Sequence, residues 1–108
     1  MAFLKAFKSI KISNPAEIDL KNISSYTLKH WGKLQKKNYI GQIKKLFLGL
    51  SHHDEAIMPL IIERDEIDKG LLSYRINQHV LFFRETEQEI LIVKILHSRM
   101  DTEKHLYD

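Results

Sequence analysis

LLSYRINQHVLFFRETEQEILIVKILHSRMDTEKHL, residues 71–106, is the stretch that decides the fold. Three apolar runs are separated by short polar breaks at Asn77-Gln78 and Glu87-Gln88. Runs of this length, rich in Val, Ile, Phe and Tyr, predict strands of an antiparallel meander. The last run, Ile90 to Leu96, is interrupted only by Lys94, which is the pattern of a central strand covered on both faces. Phe82 and Phe83 fall on opposite faces of the preceding strand, so they cannot form one exposed stacking platform. The polar cluster from His97 to Asp101 follows the last run directly, and a site built on the sheet would sit at that strand end.

Working outward, the 108 residues suit one domain with one core, spanning residues 1–108. Hydrophobic residues at 44% and charged residues at 29% place it among ordinary water-exposed globular domains. No apolar run approaches the ~20 residues that cross a bilayer. The opening MAFLKAFKSI has lysines inside its apolar stretch and does not read as a secretory signal. Cysteine is absent, which excludes disulfides and thiolate metal sites and fits a cytoplasmic location.

Charge is uneven. Residues 1–50 carry ten lysines against Glu17 and Asp19, a local balance of +8, whereas residues 51–108 carry seven basic and twelve acidic side chains, a balance of −5. A solvated lysine face is the plain reading, and an acidic partner is the functional one.

Residues 7–12 predict a first strand with Ile10 and Ile12 inward. Asn14 is the expected N-cap of a helix beginning at Pro15, with Glu17 completing a capping-box-like arrangement. Ala16, Leu20, Ile23, Thr27 and Trp31 recur at helical spacing, and Gly32 is the expected stop. A second helix, Lys33 to about Leu50, has the stripe Tyr39, Ile43, Leu46, Phe47, Leu50, and Gly41 offers a place for close approach. Residues 51–70 show no clear period and predict a short extra helix or a partner-contacting loop. Asp101 is the expected cap of a short C-terminal helix. The result is an α+β fold of order β-α-α-β-β-β, a helical hairpin packed on a small antiparallel sheet.

Several pieces in order carry a family resemblance: Ala16, Asp19-Leu20, Ile23 and Tyr26; Trp31-Gly32, Gln35 and Tyr39; Gly70 and Tyr74-Arg75; His79 to Arg84; Ile92, Lys94 to His97, Arg99 to Asp101, and His105-Leu106. Together they resemble the ParE branch of the RelE/ParE superfamily, toxins of bacterial type II toxin–antitoxin pairs. The chain departs from the family pattern between Ser51 and Glu66, where His52-His53-Asp54 and Met58-Pro59 stand in place of an Asn-Pro and a glycine. The resemblance implies a cytosolic toxin that blocks DNA gyrase and is held inactive by a ParD-type antitoxin whose peptide segment orders along the toxin. The lysine excess of the first half would suit an acidic antitoxin tail.

Within that reading, Arg75, Arg84, Lys94, His97, Arg99, Glu103, His105 and Leu106 are the candidate target contacts. Trp31, Tyr39 and Leu46 are the candidates for lining an antitoxin groove between hairpin and sheet, although Trp31 on its own reads more readily as helix-junction packing. The alternative is a ribosome-dependent mRNA endonuclease of RelE type, with His97, Arg99, Arg75, Arg84 and Tyr107 as base, cation and acid. His97 at a strand end reads more readily as a structural residue bonded to backbone, so no catalytic residue is assigned. His52-His53-Asp54 reads as a polar loop, because adjacent ligands cannot close a tetrahedral site alone. No phosphate loop, GxSxG, helix-turn-helix or basic-aromatic stripe occurs, so no cofactor and no direct nucleic-acid contact by this chain alone are expected.

Overall fold

The computed structural model describes residues 7–100 and 102–107, except the side chain of Glu103. Asp101 lies outside the described residues, and with it the expected C-terminal cap. Strand β1, Ser9–Ile12, leads into the helical segment α1, Asn14–Ser51. The cap is Ser13, one residue earlier than expected: its side chain accepts from the Ala16 N–H at 3.1 Å. Ser13 takes that place because the sheet already holds it. Its N–H donates to the Ile92 carbonyl at 3.0 Å and its hydroxyl to the Val93 carbonyl at 2.8 Å. Pro15 still falls in the first turn, where a missing N–H costs nothing, and Glu17 lies one residue beyond the capping-box position.

Segment α1 cannot be straight. A 38-residue helix would run ~57 Å, yet the Ser51 carbonyl accepts from the Lys8 N–H at 3.2 Å, and Lys8 stands only six residues before Asn14, within ~21 Å. The reversal occurs at Gly32, whose φ of +89° and ψ of 174° break the helix. The expected hairpin therefore forms, with residues 14–31 and 33–51 as its arms. Ala16 and Ile23 from one arm and Ile43, Leu46, Phe47 and Leu50 from the other bury against Leu81, Phe83, Ile90, Ile92 and Ile95 of the sheet.

The sheet has five strands in the order β1-β5-β4-β3-β2, the others being β2 (Ile62–Glu63), β3 (Leu72–Ile76), β4 (His79–Glu85) and β5 (Glu89–His97). It is mixed rather than purely antiparallel, because the hairpin returns the chain so that β1 runs parallel to β5. The extra strand β2 is two residues long and, with the 3₁₀ turn Met58–Leu60, replaces the loop or helix expected within residues 51–70. A two-residue strand has no period to read. As expected, β5 is interior, flanked by β1 and β4. Phe83 faces the hairpin, while Phe82 joins Leu71, Leu96 and Leu106 in a second cluster on the other face, next to the short helix α2, Thr102–His105. Close approach falls at Gly49 and not at Gly41: a Cβ on Gly49 would collide with the Ile57 side chain, whereas one on Gly41 would meet nothing within 4 Å.

The β4–β5 pairing shifts register between Phe82 and Phe83, so that Phe83 faces Ile92 but Phe82 faces Lys94. Strand β1 ends opposite Ile92, and beyond it the edge of β5 is closed by Asp19 of α1. One Asp19 carboxylate oxygen accepts from the Ile95 N–H at 2.9 Å, and the other lies 3.4 Å from the Lys94 ammonium. Both side chains are nearly buried, at 14% and 10% exposed. Breaking such a pair leaves an uncompensated charge, so Asp19→Ala is expected to cost about 3–5 kcal/mol in urea unfolding. Adding Lys94→Met should recover much of that loss, which a double-mutant cycle would read. Gly32→Ala is a separate case: nothing crowds a Cβ there, so its expected cost of about 1–3 kcal/mol comes from backbone conformation alone.

Candidate functional site

A groove of about 1120 Å³ runs between the hairpin and the end of the sheet where β3 meets β4 and β5 stops. Asp19, Ile23, Tyr26, Thr27 and Trp31 come from the first arm, Gln35, Tyr39 and Gln42 from the second. Asn77, Gln78, His79 and the segment from Lys94 to His97, with Arg99, Met100 and His105, complete it. Its hairpin wall is aromatic and open: Trp31 is 71% exposed and Tyr26 61%. The packing role expected of Trp31 does not hold. The apolar stripe that begins at Ala16 is buried as far as Thr27, but Trp31, next to the hairpin turn, stands largely in solvent.

The floor at the sheet end is polar. The Tyr39 hydroxyl lies 2.6 Å from His79 Nδ1 and 3.2 Å from the Ile76 carbonyl. With a single hydroxyl proton it donates to one and accepts or rests against the other, according to the imidazole tautomer. The His79 and His97 rings meet edge to face with centroids 5.4 Å apart. His97 Nδ1 accepts the Arg99 N–H at 3.1 Å, which is the backbone-bonded structural role expected of it. Burial, then the neighbouring His97, lowers the His79 pKa, and Asp19 opposes this in part. Burial raises that of Tyr39. His79 was absent from the expected site residues. Only its pairing opposite His97 reveals it.

The expected contacts divide by position. Trp31, Tyr39, His97, Arg99 and His105 line the groove, and Arg75 is exposed on β3 at the same sheet end. Lys94 also lines it but is nearly buried and committed to Asp19. Leu46 and Leu106 are buried, Leu46 in the main core and Leu106 in the second cluster, so neither offers the exposed side chain expected of a contact residue. Arg84 stands five residues along β4 from His79, about 17 Å at strand rise. It bonds Asp68 at 2.7 Å, the Lys69 carbonyl at 2.8 Å and the Tyr107 hydroxyl at 3.2 Å. That cluster ties the C-terminal segment to the loop before β3. The Glu103 side chain lies outside the described residues.

The groove can therefore hold a mainly apolar segment along the hairpin and bond polar groups at the sheet end. Arg84 and Tyr107 are too distant to act on one phosphate with His97. His53 Nε2, in the polar turn after α1, lies 2.5 Å from Glu85. No group of three or more His, Cys, Asp or Glu side chains suited to a metal occurs among the described residues. No described helix is long and apolar enough to cross a membrane.

Known proteins resemble this chain in sequence and in fold. Residues 10–102 match the family described as ParE toxin of type II toxin-antitoxin system, parDE. The chain is 32% identical over 98 residues to Toxin ParE1 of Mycobacterium tuberculosis, covering 88% of this chain and 94% of that protein. It is 30% identical over 94 residues to Toxin ParE of Escherichia coli, covering 86% and 87%. Among solved structures, a chain of the chromosomal ParDE TA system from P. aeruginosa superposes with a TM-score of 0.68 at 18% identity, over 85% of this chain and 97% of that one. The YoeB dimer from Staphylococcus aureus gives 0.58 at 20% identity, over 82% and 94%. At these identities the structural likeness speaks for the fold alone.

The lowered His79 pKa has a consequence for stability. The unfolded chain takes up the proton first, so the stability due to neutral His79 is intact above the ordinary value of about 6.5 and is lost as pH falls through the histidine range. Unfolding free energy is expected to decline between about pH 7.5 and 5, and more steeply than in His79→Gln. Urea titrations across that range would check this, and equal slopes would mean that His79 is solvated.

Proposed function

The chain belongs to the ParE toxin family of type II toxin–antitoxin systems, and from that premise we propose that it inhibits DNA gyrase by binding it, and that a ParD-type antitoxin neutralises it. The observation that carries this reading is the open aromatic groove. A monomer gains nothing from leaving Trp31 and Tyr26 in water, and aromatic side chains on a rigid wall are the usual anchors of protein partners. An antitoxin segment fills the groove, ordering as it binds, with its apolar residues against Trp31 and Tyr26 and its polar groups towards Tyr39 and His97. Arg75, His97, Arg99 and His105, gathered at one sheet end, form the surface offered to gyrase. Inhibition then comes from occupancy, and no bond is made or broken by this chain. The protein works in the cytoplasm, where gyrase is found.

Endonuclease action is the weaker reading. Arg84 and Tyr107 are engaged with Asp68 away from His97, and His97 Nδ1 is occupied by backbone.

In a purified supercoiling assay the full chain is expected to inhibit gyrase in proportion to its concentration, with inhibition relieved by the cognate antitoxin. Trp31→Ala should leave inhibition intact while weakening antitoxin binding about 30-fold, the size of an anchor of roughly 2 kcal/mol. Full gyrase activity at saturating toxin would overturn the reading. So would new cleavage sites in cellular messages with supercoiling untouched.

A further inference from the structure

Surface reversals are ordinarily built from glycine and short polar residues. The hairpin tip has the one glycine its positive φ requires, but Trp31-Gly32-Lys33-Leu34 sets a large apolar side chain on either side of it. Every residue from Leu28 to Gln35 is exposed, and the apolar ones among them are Trp31 at 71%, Leu34 at 72% and Leu28 at 39%. They point different ways. Trp31 lines the aromatic groove, Leu28 lines a separate crevice with Lys33, Lys37 and Ile40 that shares no residue with the groove, and Leu34 lines neither. A partner helix lies along one face of a hairpin and leaves the others in water. A medium that admits the turn itself covers all three side chains together.

Charge says which medium. Residues 20–53 contain seven lysines and no carboxylate. Lys29, Lys33, Lys36 and Lys37 all lie within five residues of Gly32, and none of them forms an ion pair among the described residues. An apolar tip ringed by unpaired ammonium groups matches the apolar boundary and the phosphate layer of an anionic bilayer. Lysine stems are long enough to keep their charges at the phosphates while the turn goes deeper. Leu28 stands three residues before Trp31, ~4.5 Å at helical rise, so entry by about one helical turn buries the apolar residues without leaving the headgroup boundary. Tryptophan suits that depth, where its ring is apolar and its N–H still finds water. A nucleic-acid duplex would satisfy the charges but leave Leu28 and Leu34 uncovered.

We propose that the hairpin tip is an anchor for a membrane surface rich in anionic lipid. Trp31, Leu34 and Leu28 enter the headgroup boundary, and Lys29, Lys33, Lys36 and Lys37 pair with lipid phosphates. The chain rests on the surface, and no described helix is long and apolar enough to span it. This goes beyond the toxin reading, and its test needs neither gyrase nor antitoxin. The two readings meet at Trp31, which a segment lying in the groove would cover.

The test uses the full chain and two kinds of vesicle, one of phosphatidylcholine alone and one of phosphatidylcholine and phosphatidylglycerol in equal parts. Trp31 is the single tryptophan of the chain, so its emission reports the tip directly. The expected result is sedimentation with the anionic vesicles, a blue shift of Trp31 emission, and quenching by lipid brominated near the headgroup end of its acyl chains. Leu34→Glu, at an exposed position, should leave the unfolding midpoint unchanged and weaken vesicle binding about tenfold or more. Lys33→Glu/Lys37→Glu should weaken it by about tenfold, and raised salt should do likewise. Sedimentation with Trp31 emission unshifted would mean adsorption by the lysines alone and would overturn the anchor, as would equal binding by Leu34→Glu. Equal partition into phosphatidylcholine alone would overturn the part given to charge, and preference for a labelled DNA duplex over the anionic vesicles would reassign the lysines to nucleic acid.

Discussion

Asp19 is the point on which the two layers of this molecule turn. Strand β1 stops opposite Ile92, and past that point the edge of β5 would face the hairpin with its backbone unpaired. A buried N–H without a partner costs as much as a lost hydrogen bond, and a buried ammonium costs more. The Asp19 carboxylate answers both, accepting from Ile95 N–H and pairing with Lys94. Ser13 does the equivalent work at the start of the helix, closing onto Ile92 and Val93 while capping it. The hairpin is thus keyed to the sheet at the register shift itself. Among the described residues no buried side-chain nitrogen or oxygen lacks a partner.

Register and groove are linked through the same place. Without the shift, the pairing of Phe83 with Ile92 would carry on to set His79 against Leu96. With it, His79 faces His97, and Tyr39 from the hairpin reaches the His79 ring. The polar floor of the groove is therefore a product of the irregularity that Ser13 and Asp19 stabilise. The aromatic wall has another origin. The hairpin is set off along the sheet, Asp19 already lying opposite Ile95 near the end of β5, so Trp31 and Tyr26 further along the arm are left largely exposed. One end of the groove is set by hydrogen bonding and the other by that offset. A binding surface with fixed polar points and accommodating aromatic ones suits a protein segment better than it suits a reaction.

The hairpin presents three faces with separate tasks. Ile43, Leu46, Phe47 and Leu50 hold it to the sheet, Gln35, Tyr39 and Gln42 look into the groove, and Lys33, Lys37, Ile40 and Gly41 look away from both. The exposed Leu34, at 72%, belongs with Trp31 at the tip rather than with the core.

Local pattern and elementary sterics determined the strands from Leu72 to His97, the interior position of β5, the opposite facing of Phe82 and Phe83, and the reversal at Gly32. Each follows from residues close in the chain: β-branched runs, strict alternation, or a glycine where no other residue sits comfortably. The family resemblance was legible for the same reason, since it rests on ordered short pieces. Tertiary structure alone decided the parallel placement of β1, the two-residue β2, the register shift, and whether an apolar residue with helical spacing ended up covered. Leu46 and Trp31 belong to apolar stripes of the same kind, yet one is sealed in the core and the other stands in solvent, because burial depends on what lies opposite. The pairing of His79 with His97 likewise turns on one extra residue in β5, held by Ser13 and Asp19 from more than seventy residues away in the chain. A contact between such distant groups has no local signature, and so the candidate site became visible only once the chain had folded.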